Sequence, residues 1–291
     1  MEDIPTNKLS PSLAQDEIRI GAWAEVREKL ERQLAPLGRL ALVALALRSG
    51  ERVLDIGCGG GEVTIDLARA VGPDGAVIGI DISAAVLQFA QRAGEGSEQV
   101  RYVHGDAQQF PFEGSFFDAA FSRFGVMFFA DPIAAFINIR RSLKPRGRLA
   151  FACWRSLNEN QLDSLPLKAA SSHLPPFPAC EADAPGPFAF SNQDRVRAIL
   201  QKAGFGDIKI TAHDEQVSSG SLDEMLAVCT RVGALGKILR ENPELRDAAL
   251  PAVRSALEAF DGPEGVRLNA AIWVVTALAP AGPSSVSARS E

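Results

Sequence analysis

The residues best suited to chemistry cluster in VLDIGCGGGE, positions 53 to 62, where Asp55 is followed by Gly57, Gly59 and Gly61 in the pattern D-x-G-x-G-x-G. An acid and alternating glycines at the end of an apolar run imply a tight strand-to-helix turn whose backbone a ligand can approach. A dinucleotide fingerprint, G-x-G-x-x-G, needs a small residue three places after its second glycine. Counting from Gly59, that place holds Glu62. An acidic group beside the helix start repels a pyrophosphate but tolerates a nucleoside that carries a cation and no phosphate.

Two more acids fall where apolar runs end. Asp81 closes AVIGID, and a carboxylate there can accept both hydroxyls of a ribose. Asp106 lies in VHGDAQQFPF, where Ala107 and Gln108 can offer backbone amides to an adenine edge. Taken singly, either acid could be an ordinary helix cap; their joint placement favours a site. Cys58, inside the glycine turn, reads as a small packing residue, since no basic partner stands near it in sequence. His104 reads as structural, whereas His173 and His213 are candidates for a general base. Phe124 and Met127 are candidates for an apolar substrate pocket beside the fourth strand.

The elements that must position these groups follow from periodicity. From Glu51 to Cys153 short β-rich runs alternate with helix-length segments, the βαβ signature of a parallel sheet. The strands are RVLDIG, AVIGID, VRYVHG, FDAAFS and RLAFACW, and the crossover helices VTIDLARAV, AAVLQFAQRA and PIAAFINIRRSL. Ser83 and Asp131 stand at helix caps, and KPRG stops the last helix, with Gly147 making the turn. A helix in SNQDRVRAILQKAGF leads to the strand DIKITAH. Before the first strand, two amphipathic helices are expected, broken at Pro36 and Gly38.

The expected organisation is a helical segment at 1–48 covering the site, a core at 49–220 with a mobile loop at 156–190, and a helical lid at 221–262 made of two helices. A final antiparallel strand at 263–279 and a disordered tail at 280–291 complete it.

Composition excludes several classes. With 46% hydrophobic and 23% charged residues the chain is of ordinary globular type. No run approaches the roughly 18 apolar residues of a membrane-spanning helix, and the acidic, polar amino terminus is unlike a secretion signal, so a cytoplasmic location is expected. A net charge of −6 argues against broad binding to nucleic acid. Cys58, Cys153, Cys180 and Cys229 are scattered with no metal-ligand spacing, so neither a metal site nor a disulfide framework is expected.

The pieces VLDIGCGGG, GIDIS, GDAQQFPF, FFDAAFSRFGVMFFADP and LKPRGRLAFACW, in that order, resemble the class I S-adenosylmethionine-dependent methyltransferases, in particular the small-molecule branch near the ubiquinone/menaquinone C-methyltransferases. The resemblance covers about a third of the chain. It implies an α/β, Rossmann-like fold: a seven-stranded, mostly parallel sheet with helices on both faces and a helical lid insertion. It also implies S-adenosyl-L-methionine as cofactor, with Asp55, Gly57 and Gly59 at its methionine and ribose part and Cys58 in the same loop. Asp81 would hold the ribose, Asp106 with Ala107 the adenine, and Ile82 would pack on the adenine face. The Ser122 carbonyl would face the cofactor's amino group, and Trp23 would belong to an amino-terminal cover. Methyl transfer to a small molecule is the activity implied, with a homodimer as a candidate assembly. The alternatives are a protein that binds the cofactor without methyl transfer or uses it for another reaction, and an NAD-dependent dehydrogenase, which the glycine spacing disfavours.

Overall fold

The computed structural model describes residues 11–175 and 184–281, with side chains from residue 20 onward. Expectations for the tail beyond residue 281, for Cys180 and for the middle of the 156–190 loop therefore lie outside the described residues. The described chain divides into two compact units: 34–161, 184–217 and 269–281 form one, and 11–33, 162–175 and 218–268 form the other.

The first unit is built on a seven-stranded sheet. Its strands are β1 (Arg52–Ile56), β2 (Ala76–Asp81), β3 (Val100–His104), β4 (Phe117–Arg123), β5 (Leu143–Trp154), β6 (Gly206–Val217) and β9 (Leu268–Leu278), in the order β3-β2-β1-β4-β5-β9-β6. The first five pair in parallel, and β9 runs antiparallel to β5. β1 and β4 are buried almost throughout, as parallel strands covered on both faces must be.

Helices α2 (Glu62–Val71), α3 (Ala84–Ala93), α4 (Pro132–Ser142) and α6 (Gln193–Lys202) flank the sheet. Because the strand order reverses at β4, right-handed crossovers put α2 and α3 on one face and α4 and α6 on the other. Accordingly α2 packs with α3, and α4 with α6. Ser83 Oγ accepts from Val86 N at 3.3 Å and Asp131 Oδ1 from Ala134 N at 3.0 Å, so both caps form where the sequence puts them.

Four expectations are corrected. The amino-terminal segment is one helix, α1 (Pro11–Leu45), not two. Leu37, Ala41 and Leu45 continue a buried stripe past Pro36, whose ring lies on the exposed side, and this packing outweighs the cost of a helical proline. Gly38 serves close packing: a Cβ there would stand 2.6 Å from Arg123 Cδ. KPRG belongs to β5, whose pairing with β4 shifts register between Phe117 and Ala119; the left-handed residue of the bulge is Arg146, at φ 60, rather than Gly147.

The segment read as a loop at 156–190 contains α5 (Gln161–Ala170), where Leu162, Pro166 and Ala170 repeat every four residues and are buried. The segment 221–262 holds three helices, α7 (Leu222–Cys229), α8 (Gly233–Glu241) and α9 (Arg246–Glu258), with Gly233 at φ 76 breaking the first two apart.

The second unit packs Met225, Val228, Leu235, Leu239, Val253 and Leu257 from these helices into its core. Ser219 Oγ donates to Gln33 Oε1 at 2.5 Å, both groups being buried. Asp163 Oδ1 accepts from Ala234 N at 3.1 Å and so caps α8. A short hairpin of β7 (Asp261–Gly262) and β8 (Gly265–Val266) completes it. Among the described residues no helix is long and apolar enough to cross a membrane, and no cluster of side chains could hold a metal ion.

Candidate functional site

The direction of strand order changes between β1 and β4, and in open α/β sheets ligands bind outside the carboxyl ends of the strands at such a switch. The glycine turn stands there. Gly57 and Cys58 both donate their amides to Ile80 O, at 2.8 and 3.1 Å, which ties the turn to β2. Gly57 is packed closely: at φ +67, a Cβ there would come within 2.9 Å of Gly125 Cα. Gly59, at φ +57, is different, since a Cβ there would meet nothing within 4 Å. Open space therefore lies over Gly59.

Asp81 borders that space. Its Oδ2 accepts from Gly59 N at 3.0 Å and its Oδ1 from Ser83 N at 2.9 Å, leaving further lone pairs on each oxygen. Next to it Ile82 is 68% exposed, although it is a large apolar residue. Asp106 is occupied locally: Oδ1 accepts from Gln108 N at 2.9 Å, so that amide, expected to serve an adenine edge, is committed within the loop. Ala107 is buried, and its carbonyl accepts from Asn138 Nδ2 at 3.0 Å.

Asp55 is only 1% exposed and accepts from Thr64 Oγ1 at 2.7 Å. Burial pushes its carboxyl up to about 7; the Thr64 bond and the Arg123 charge oppose that shift, and Asp81 adds to it. The Cys58 thiol packs against Leu87, Ala90 and Tyr102, and burial raises its pKa, so it is held as the unreactive thiol. Ser122 is fully buried; its Oγ donates to Ile56 O at 2.8 Å and accepts from Gly125 N at 3.2 Å, bolting β4 to β1.

At the carboxyl ends of β4 and β5, Phe124 stacks on Trp154 with ring centroids 4.2 Å apart and planes 11° from parallel. Phe124 holds a left-handed backbone, φ 62, a strained state that persists only where packing enforces it. Met127 is buried and its sulfur accepts from Trp154 N at 3.5 Å. His213 lies on β6, four strands from β1, on the order of 19 Å away at ordinary strand spacing. His173 is exposed in a short 3-10 turn of the other unit, to which Trp23 also belongs. The structure thus gathers Asp55, Gly57, Gly59, Asp81, Ile82 and Ser122 at one edge and does not bring His213 to them.

Sequence reasoning missed Thr64, Gly125 and Asn138. Asn138 clamps the loop after β3 by donating to both Ala107 O and Phe110 O, the latter at 2.9 Å. A hint was available for Gly125, a glycine just past the strand FDAAFS, but none for the other two.

Comparison with known proteins agrees with this geometry. Residues 54–151 match the family described as "Methyltransferase domain". A demethylmenaquinone methyltransferase of Staphylococcus aureus is 41% identical over 103 residues, which span 35% of this chain and 43% of that protein. The matched stretch thus covers less than half of the relative. Among solved structures, the YcgJ protein of Bacillus subtilis shares the fold with a TM-score of 0.55 at 16% identity, covering 86% of this chain and 99% of that one. The [4+2]-cyclase SpnF does so with a TM-score of 0.51 at 20% identity, covering 85% and 82%. Residues 54–151 are thus similar to a methyltransferase domain and, over that stretch, to a demethylmenaquinone methyltransferase, and they lie in a Rossmann-like fold.

Proposed function

We propose that this protein binds S-adenosylmethionine at the switch between β1 and β4 and transfers a methyl group to a small-molecule acceptor. The observation that carries the reading is the Asp81 carboxylate, fixed by the amides of Gly59 and Ser83 at the rim of the open space over Gly59. Its remaining lone pairs suit two ribose hydroxyls, and the exposed Ile82 suits the face of an adenine. Asp106 and Ala107 are assigned to the adenine edge, the Ser122 carbonyl to the amino group, and Asp55, with Gly57 and Gly59, to the cationic methionine end.

When bound, the cofactor supplies a methyl group already activated on a sulfonium centre. The protein then has to align the acceptor, exclude water and take a proton where the accepting atom carries one. The Phe124, Met127 and Trp154 cluster suits an apolar, quinone-like acceptor. No proton is routed through His213 or His173. Acceptor choice is assigned to the chain outside residues 54–151, the range that matches the methyltransferase domain. The net charge of −6 supports a small molecule over a nucleic acid as acceptor, and a cytoplasmic location and a homodimer belong to the same proposal.

A second reading has one observation in its favour: a [4+2]-cyclase shares the fold, so the fold by itself does not dictate methyl transfer. Calorimetry with S-adenosylmethionine, S-adenosylhomocysteine and NADH, followed by transfer assays with labelled methyl donor over a panel of apolar phenols and quinols, separates the cases. Binding of both adenosyl ligands and a labelled product supports the proposal. Binding with no product across the panel favours the second reading, and NADH binding without affinity for S-adenosylhomocysteine overturns both.

A further inference from the structure

Two short pieces of backbone are assigned to the adenine: Ile82, in the connection from β2 to α3, and the loop after β3 that carries Asp106 and Ala107. The second piece is clamped from α4 by Asn138. The first has a clamp of its own. His104, the last residue of β3, stands opposite Asp81 in the parallel register, and its Nε2 lies 3.0 Å from Ile82 O. A carbonyl oxygen can only accept, so the imidazole carries a proton on Nε2 and donates it to this bond.

Strand parity puts the ring where it can do this. Side chains two apart on a strand share a face, so His104 lies on the same face as Tyr102, which packs against Leu87 and Ala90 of α3. The connection from β2 into α3 runs along that face. The Ile82 carbonyl precedes the helical ladder, whose first acceptor is the N-cap carbonyl Ser83 O, bonded by Leu87 N at 3.1 Å. It is therefore open to a side-chain donor. The Ile82 side chain is 68% exposed, so packing does little to fix it. Three hydrogen bonds hold the segment instead: Gly105 N to Asp81 O at 3.0 Å, Ser83 N to Asp81 Oδ1 at 2.9 Å, and His104 Nε2 to Ile82 O. The last is the one made to Ile82 itself.

We infer that His104 is a positioning residue for the cofactor's base: its imidazole anchors the Ile82 carbonyl, so that the Ile82 side chain is already in place as the apolar face on which the adenine lies. The inference rests on the proposed function, because the adenine is what gives the exposed Ile82 a task. A side chain set in advance lowers the ordering cost of binding. His104 itself does not touch the ligand in this account; it acts through one backbone oxygen.

The test compares His104→Leu, which keeps bulk but removes the donor, with His104→Gln, whose amide nitrogen is as many bonds from the backbone as Nε2 and can donate to the same carbonyl. The site is exposed, so both variants should melt at the wild-type temperature. In calorimetry His104→Leu should bind S-adenosylhomocysteine roughly two- to fivefold more weakly than wild type, the worth of one exposed hydrogen bond, and His104→Gln should recover most of that loss. In an Ile82→Ala background, where the side chain to be placed is gone, His104→Leu should weaken binding no further. A merely structural role would weaken binding by the same factor in both backgrounds.

Ile82 also gives a cofactor-independent readout: in the ligand-free protein its labelled Cδ1 methyl should have a lower NMR order parameter in His104→Leu than in wild type or His104→Gln. A His104→Leu affinity equal to wild type, an equal loss in the Ile82→Ala background, a Gln variant no better than the Leu variant, or an Ile82 methyl indifferent to His104→Leu overturns the inference. If the Ile82 methyl responds to His104→Leu but the wild type does not bind S-adenosylhomocysteine, the anchor stands and the functional reading falls instead.

Discussion

Replacing Asp55 by Asn tests the electrostatics of the site through stability alone. Asn keeps the shape and the acceptor for Thr64 Oγ1, which stands 2.7 Å from Asp55, but has no charge to bury. In the folded protein, burial lifts the Asp55 carboxyl from 3.8 to about 7. Between those values the unfolded chain has released its proton while the folded protein still holds one, so the wild type loses stability as pH rises. Below about pH 4 both states are protonated and Asp55 costs nothing; above about pH 7 the cost is complete. A gap of about three units corresponds to a ceiling of about 4 kcal/mol.

The buried amide of Asn carries its own desolvation cost of about 1 kcal/mol, but this is independent of pH. The measurement is urea unfolding of both proteins at a series of pH values from about 4 to 9, in the absence of ligand. Taking the difference between variants cancels the other carboxylates, such as Glu159 and Asp214, whose lowered values act in the opposite direction. The Asn variant should gain on the wild type steadily between about pH 4 and 7 and then level off a few kcal/mol ahead of its acid-side value. A difference that does not vary with pH would refute the assignment of Asp55 as a desolvated acid.

Three further outcomes are expected. Asp81→Ala should weaken S-adenosylmethionine binding by about 1–3 kcal/mol in calorimetry, through lost charge-assisted bonds; wild-type affinity would remove Asp81 from the site. Gly59→Arg should abolish that binding in a protein whose circular dichroism stays native, because the side chain enters open space, although φ +57 will lower its melting temperature. Asn138→Ala leaves the Ala107 and Phe110 carbonyls without their donor, and should cost about 1–3 kcal/mol of stability in chemical unfolding.

What the sequence determined by itself is whatever depends on neighbours a few residues away. The parallel sheet follows from runs such as VLDI and AVIGID, the caps at Ser83 and Asp131 are contacts over three residues, and the glycine turn announces itself by spacing. The amino-terminal helix was misread because Pro36 is a local stop signal, whereas the buried stripe of Leu37, Ala41 and Leu45 that overrides it is a matter of packing.

Only the tertiary structure decided how the turn is held. Gly57 rests on Gly125, Asn138 reaches back about thirty positions to the loop after β3, and the Tyr102 ring claims the space of Gly61, Gly79 and Gly94. The ionisation of Asp55 belongs to the same class, since it depends on how much water the strands and α2 exclude around one carboxyl. Steric room and desolvation arise from chain segments that meet only on folding, and no local pattern of residue types encodes them.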